Sequence, residues 1–283
     1  YGDFDATAMK AKLESLLGTW NADQPAVPKF PEVEQKARPG IFLAERDDVT
    51  QTFFQIGHLG GMYKDKDYAA LSVAASILGS GFSSRLMSEV RTKLGYAYSI
   101  GAGWGAEYNH PGRFRIVGST KSASTADTIR VINEEVNKLR KSGVTREELR
   151  VAKDRLLNGF VFNFDSPAKT LNRIIAYEYH GYPRDFIRQY QAGIDSTTIA
   201  DVKRVAEQYF KPEDFTVVAV GNPKEFGKPL DSLGIPMQKL DLTIPGTPQQ
   251  PPAPTPMTAS QAANPDALSK GLAMLEKMQA AVG

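Results

Sequence analysis

Arg91, Tyr96 and Tyr98 are the side chains whose types and spacing in this sequence point most directly to chemistry. A guanidinium is permanently charged and offers five donors in a planar fork, and a phenol adds one more, so together they can hold carbonyl or carboxylate oxygens. They lie in the run GSGFSSRLMSEVRTKLGYAYSI, residues 79–100. Leu86 and Val90 mark an apolar face at four-residue spacing that extends towards Leu94. Ser80, Ser83 and Ser84 can cap the helix start, and Gly95 stands where a C′ glycine would. Residues 96–100 then alternate as a strand does, with Tyr96, Tyr98 and Ile100 on one face. Arg91 is thereby placed in the last helical turn and both phenols on the first residues of the strand leaving it, so the three groups meet near one corner. On the residues alone two readings stay open. Either the group contacts a ligand, or Arg91 caps its own helix for about 0.3 to 1 kcal/mol against the macrodipole and the tyrosines are packing aromatics.

Other chemistries find little support. The three histidines, His58, His110 and His180, are isolated from one another, and no HExxH or HxxEH occurs, so the helical His pair of a zinc peptidase is missing. Glu178 and His180, two residues apart, diverge by about 160° on a helix and do not form one site. Ser83 and Ser84 have no GxSxG elbow and no base nearby. The GxGxG of residues 101–105 lacks the following helix that a phosphate site requires. With 34 Lys and Arg against 32 Asp and Glu, the net charge of +2 is too balanced to suggest nucleic acid as the main partner. No apolar run approaches the roughly 18 residues of a transmembrane segment. There is no cysteine, hence no thiol nucleophile and no thiolate metal site.

The surrounding elements must position the corner. Residues 40–46 and 50–58 read as strands, residues 66–78 as a helix with Tyr68, Leu71, Ala75 and Leu78 on one face, and residues 113–121 as a strand after the Asn109-His110-Pro111-Gly112 turn. Helices follow. One carries Ile129, Ile132, Val136 and Leu139 and ends at Gly143; the next opens on a Thr145–Glu148 capping box; another opens on Ser166-Pro167 and runs through Leu171, Ile174, Ile175 and Tyr179. Shorter helices are expected at 185–192 and 197–210, and an apolar strand at 215–220. Strands not regularly alternated with single helices imply an α+β fold, a mainly antiparallel sheet covered on one face by helices. The segment GNPKEFGKPLDSLG at 221–234 matches GDFDATAMKAKLESLLG at 2–18 in pattern, so the chain reads as opening on the end of an earlier copy of the same unit, one half of a duplicated architecture. It starts at Tyr1 without Met, and the expectation is a fragment, with any export signal in the missing part.

The run at 79–100 resembles the signature of the second, non-zinc-binding half of the pitrilysin and insulysin (insulinase) family of zinc metallopeptidases, over roughly residues 39–223. The resemblance implies the following. Residues 1–20 end a preceding homologous half and 39–243 are the C-terminal peptidase-like domain; by composition and periodicity alone, 21–38 are a linker, 244–263 a proline-rich linker, and 264–283 a C-terminal amphipathic helix with Leu268, Leu272, Leu275 and Met278 on one face. The tail after residue 244 has no counterpart in the family pattern. The family's substrate-contacting Arg falls on Arg91 and its Tyr on Tyr96, with Tyr98 as a possible substitute. The resemblance implies no catalytic residue, no metal ligand and no cofactor in this chain, with zinc held by a complementary N-terminal half or a partner subunit, and a peptide as substrate. The chain by itself is then inactive. The alternative is a non-catalytic assembly protein of the same fold. The sequence does not fix a compartment; the bacterial periplasm or envelope is the expectation carried forward.

Overall fold

Ile41 and Leu43, Phe54 and Ile56, Phe114 and Ile116, and Val217 and Ala219 occupy alternate positions in four segments and are all buried in one core. That two-residue period turns one face of a pleated sheet inward. The computed structural model describes residues 2–20, 28, 30–32 and 38–242. In chain order the elements are α1 (Ala6–Leu17), β1 (Gly40–Glu45), β2 (Gln51–Leu59), β3 (Gly61–Met62), α2 (Tyr68–Gly79), a π-helix (Met87–Lys93), β4 (Ala97–Trp104), β5 (Ala106–Glu107), β6 (Arg113–Lys121), α3 (Thr125–Ser142), α4 (Arg146–Asn158), α5 (Pro167–His180), α6 (Phe186–Ser196), α7 (Ile199–Tyr209), β7 (Thr216–Gly221) and β8 (Met237–Lys239), with short 3₁₀ turns between some of them. The chain divides into two units, Tyr1–Asp241 and Leu242–Gly283. The expectations for 244–263 and 264–283, and for most of 21–38, lie outside the described residues.

Six strands form one sheet in the order β4-β6-β2-β7-β1-β8. It is antiparallel from β4 through β7 and parallel across β7-β1 and β1-β8, so the fold is α+β with a mainly antiparallel sheet. β3 and β5 make a separate parallel pair. Helix α2 is buried almost throughout, and α3 adds Ile129, Ile132, Val136 and Leu139 to the same core. The last glycine of α2 approaches β4 so closely that a Cβ on Gly79 would stand 2.2 Å from the Ala102 nitrogen, which leaves no room for a side chain. The capping box of α4 forms with Thr145 and Glu148, and Ser166 caps α5 with Pro167 in its first turn.

The helix expected after Ser166-Pro167 forms, though not with its apolar spacing inward, and one likeness needs correction. Leu171, Ile174, Ile175 and Tyr179 follow helical spacing, yet all four are exposed, and α5 instead buries Tyr177 in a small second cluster with Phe160 and Ile187. Spacing reports a face, not what covers it. The likeness between 2–18 and 221–234 is also incomplete in structure. The first segment is a twelve-residue α-helix capped by Asp5, whereas the second makes two 3₁₀ turns, Pro223–Glu225 and Leu230–Leu233, because Pro223, Gly227 and Pro229 break the helical register. Helix α1 buries no residue, and Met9, Leu13, Leu16 and Leu17 lie exposed.

Candidate functional site

Arg91 is carried by a helix that the serine caps do not start. Ser80 ends α2, its N–H bonding to the Ser76 carbonyl. Ser84 turns its hydroxyl back to donate to the Gly81 carbonyl at 2.7 Å, and the Ser83 hydroxyl accepts from Arg155 at 3.0 Å. The loop between α2 and the π-helix is therefore fastened from α4. Arg155 also donates to the Ser80 carbonyl. Arg85 grips Glu148 through two bonds of 2.6 and 3.0 Å and reaches the Gly143 carbonyl at 2.8 Å. Burial pushes the Glu148 carboxyl up, but the hydrogen bonds from Arg85 and the Thr145 backbone outweigh it and hold the group below its usual range. At its tip the loop leaves Phe82 three-quarters exposed.

From Met87 to Lys93 the backbone takes the wider π register. Leu94 donates to the Glu89 carbonyl at 3.1 Å and Tyr96 to the Val90 carbonyl at 3.0 Å. Leu86, Met87 and Val90 are buried, but Leu94 is exposed. The four-residue spacing predicts Leu94 inside; the extra residue per turn rotates it out, and such π turns recur at functional sites. Gly95 ends the helix at φ +62° with its N–H on the Arg91 carbonyl at 3.1 Å, the left-handed C′ position that its sequence predicts.

The strand then departs from simple alternation. β4 begins at Ala97, not Tyr96, and a bulge lets Ala97 pair with Thr120 while Ser99 pairs with Ser119. Tyr98 is the extra residue. It stands 80% exposed while Ile100 is buried, so the two do not share a face. Tyr96 lies just before the strand and packs its ring partly against the main core. Its carbonyl accepts from the Lys121 N–H at 3.0 Å and the Thr120 hydroxyl at 2.9 Å. Its own hydroxyl has no hydrogen-bond partner among the described residues.

These turns bring Arg91 against Tyr98 and Phe82. The Arg91 guanidinium carbon lies over the Tyr98 ring, 5.0 Å from its centroid, and over the Phe82 ring at 5.1 Å. Among the described residues no carboxylate pairs with Arg91, and Glu89 of the same helix is taken by Lys93 at 2.6 Å. Nor does its side chain bond the last helical carbonyls, as the capping reading requires. Two rings hold a guanidinium by its faces for about 0.5 to 1 kcal/mol each at exposed positions and leave its N–H edges free for an acceptor. The Arg91–Tyr98 pairing was legible as proximity. Phe82 was missed, although an aromatic set between GSG and SS, with no apolar neighbour to pack on, was a signal for it.

The histidines take structural places. His58 lies against Phe114 and Phe215 at ring distances of 5.2 and 5.7 Å. Its Nδ1 donates to the Leu59 carbonyl at 2.7 Å and its Nε2 accepts from the Lys211 N–H at 3.3 Å. Burial lowers its pKa, so the ring is neutral. His180 stacks on Tyr108. Among the described residues no group of three or more His, Cys, Asp or Glu side chains can hold a metal ion, and no helix is long and apolar enough to cross a membrane. Among the described residues the sheet face opposite the core is uncovered, with Phe53, Val117 and Val218 exposed. A cavity of about 420 Å³ there is bordered by Phe42, Gln55, Thr216, Val218 and Leu240.

Comparison with known proteins matches residues 1–156 to the family described as Peptidase M16 inactive domain. The chain is 26% identical over 210 residues to an uncharacterized zinc protease of Mycobacterium leprae (strain TN), covering 73% of this chain and 46% of that protein. It is 26% identical over 205 residues to the non-peptidase homolog YmxG of Helicobacter pylori (strain ATCC 700392 / 26695), covering 70% and 45%. The crystal structure of a peptidase M16 inactive domain from Pseudomonas fluorescens superimposes with a TM-score of 0.66 at 27% identity, over 78% of this chain and 52% of that one. The chain thus spans about half the length of the relatives it matches.

Proposed function

Because the chain belongs to the peptidase M16 inactive domain family, we propose that it serves as the non-zinc-binding half of a two-half zinc metallopeptidase, closing a chamber over a peptide and holding the peptide backbone. The observation that carries this reading is the state of Arg91: charged, without a carboxylate partner among the described residues, and held by two exposed rings. A peptide bound in extended form presents backbone carbonyls, and one beside the scissile bond gains negative charge in the transition state. Arg91 offers two donors to such an oxygen and the Tyr96 or Tyr98 phenol a third. The open apolar sheet face supplies a chamber wall. In this reading the zinc and the general base are supplied by the other half, and the chain's own part is to bind and orient.

A second reading, a non-catalytic assembly protein, draws on the relative named as a non-peptidase homolog and on the exposed apolar faces of α1 and α5. The test separates the two. The purified chain is assayed for zinc and for peptide hydrolysis, alone and after mixing with the half that carries HxxEH. The reading as a peptidase half expects no stoichiometric zinc and no hydrolysis alone, with turnover on mixing. Zinc that resists chelation in the lone chain contradicts it, and a complex that forms without any turnover supports the assembly reading.

A further inference from the structure

Away from the Arg91 corner, α5, α6 and the segments around β3 and β5 enclose a second cavity of about 240 Å³. Arg173 lines it. Its terminal nitrogens donate to the Asn163 side-chain oxygen at 2.6 Å and to the Tyr177 hydroxyl at 3.4 Å, both neutral groups, and its Nε is buried without a partner. Among the described residues no carboxylate forms an ion pair with it. Tyr63 and Tyr108 also line the cavity, their rings 4.8 Å apart, and their hydroxyls make no hydrogen bond among the described residues. Burial raises the pKa of both phenols, so they remain protonated donors. Glu107, whose charge acts on both, is exposed and does not line the cavity.

A half-buried cation with neutral partners and an orphaned donor costs free energy unless something anionic meets it. Two phenols without hydrogen-bond partners among the described residues line one cavity with the Arg173 cation, and with the cavity's tyrosine and phenylalanine rings they match a carboxylate carried on a flat apolar body. The volume is about eight times the ~30 Å³ that one water occupies in the liquid and lies below the ~300 Å³ at which drug-sized pockets begin. We propose that this cavity binds a small aromatic carboxylate, its carboxyl on Arg173, Tyr63 and Tyr108 and its ring among the tyrosines. Such a group arrives either as a free acid or as the C-terminal Phe of a peptide.

The full 283-residue chain is titrated with 3-phenylpropionate and with neutral 3-phenylpropionamide, followed by calorimetry and saturation-transfer NMR. The acid is expected to bind with Kd of about 1 mM or tighter and the amide at least about tenfold more weakly, since a hydrogen bond to a charged group is worth that factor or more. Arg173→Gln and the double variant Tyr63→Phe, Tyr108→Phe, each checked for fold by circular dichroism, are expected to lose a similar factor. The double variant keeps both rings, and the acid–amide contrast needs no variant at all. A peptide ending in Phe, as free acid and as amide, separates the sources: binding of the free-acid peptide assigns the cavity to chain ends, and binding of 3-phenylpropionate alone assigns it to a free acid. Equal binding of acid and amide, no binding of either, or full binding by folded Arg173→Gln overturns the proposal.

Discussion

The guanidinium carbon of Arg91 lies 5.0 Å from the centre of the Tyr98 ring, across the turn made by Gly95. Helix and strand are joined there by three residues, with Gly95 left-handed at their centre, so the charge at the end of one element meets the face of an aromatic on the next. With Phe82 at 5.1 Å, the guanidinium is oriented by rings, which do not neutralise it. An Arg fixed by a carboxylate has spent its donors; this one has not.

That arrangement predicts a separation of stability from binding. Phe82 and Tyr98 are exposed by 75% and 80%, so Phe82→Ala and Tyr98→Ala should lower unfolding free energy by no more than about 1 kcal/mol. Each removes one face of the stack, worth about 0.5 to 1 kcal/mol, and should lower kcat/KM for a peptide by about two- to fivefold in the complete two-half protein. Denaturant unfolding and steady-state kinetics check both numbers. A large loss of stability with unchanged kinetics contradicts the stack's role.

Gly95 and Gly103 form a second, internally controlled pair. A Cβ meets nothing within 4 Å at either position, but Gly95 sits at φ +62° and Gly103 does not have a positive φ. Gly95→Ala should therefore cost about 1 to 2 kcal/mol through backbone conformation alone, and Gly103→Ala should be near neutral. Parallel urea titrations of the two variants measure this difference.

The start of α2 is pinned by Asp67, which is buried and accepts from Arg204 at 2.8 Å and from the Tyr209 hydroxyl at 2.9 Å. The Arg204 hydrogen bond, more than burial opposes it, holds the Asp67 carboxyl below its usual range. A depressed folded-state pKa gives stability that is fully present above the unfolded carboxylate value of about 3.9 and is lost as pH falls through the lower folded value. Asp67→Asn should cost about 1 to 2 kcal/mol at pH 7, since Arg204 is half exposed and solvent screens the pair. The difference from wild type should shrink below about pH 4. Unfolding curves at pH 7, 5 and 3 test it, and a cost independent of pH contradicts the ion pair's part.

Much of this was legible in the sequence because it is local. Gly95 after Leu94, the Thr145–Glu148 box and Ser166-Pro167 each answer to a few neighbouring residues. What was not legible depends on distant partners or on register. The π turn that rotates Leu94 outward, and the bulge that turns Tyr98 away from Ile100, are set by how β4 docks on β6 and α2. Arg155 and Glu148 of α4, the latter through Arg85, hold the Phe82 loop from more than sixty residues along the chain, and no periodicity announces such a tie. The exposed stripe of α5 shows the same limit from the other side: a helical face is written in the sequence, its cover is not.

The central claim, that this half grips a peptide backbone through Arg91 while the other half does the metal chemistry, is tested most directly by Arg91→Ala in the complete two-half protein. Turnover of a peptide, zinc content and melting temperature are measured on the same preparation. Loss of a donor that acts in the transition state should lower kcat/KM by about 10²-fold, close to 3 kcal/mol. Zinc occupancy and melting temperature should stay at wild-type values. Unchanged turnover with a lowered melting temperature would make Arg91 a structural residue and contradict the account.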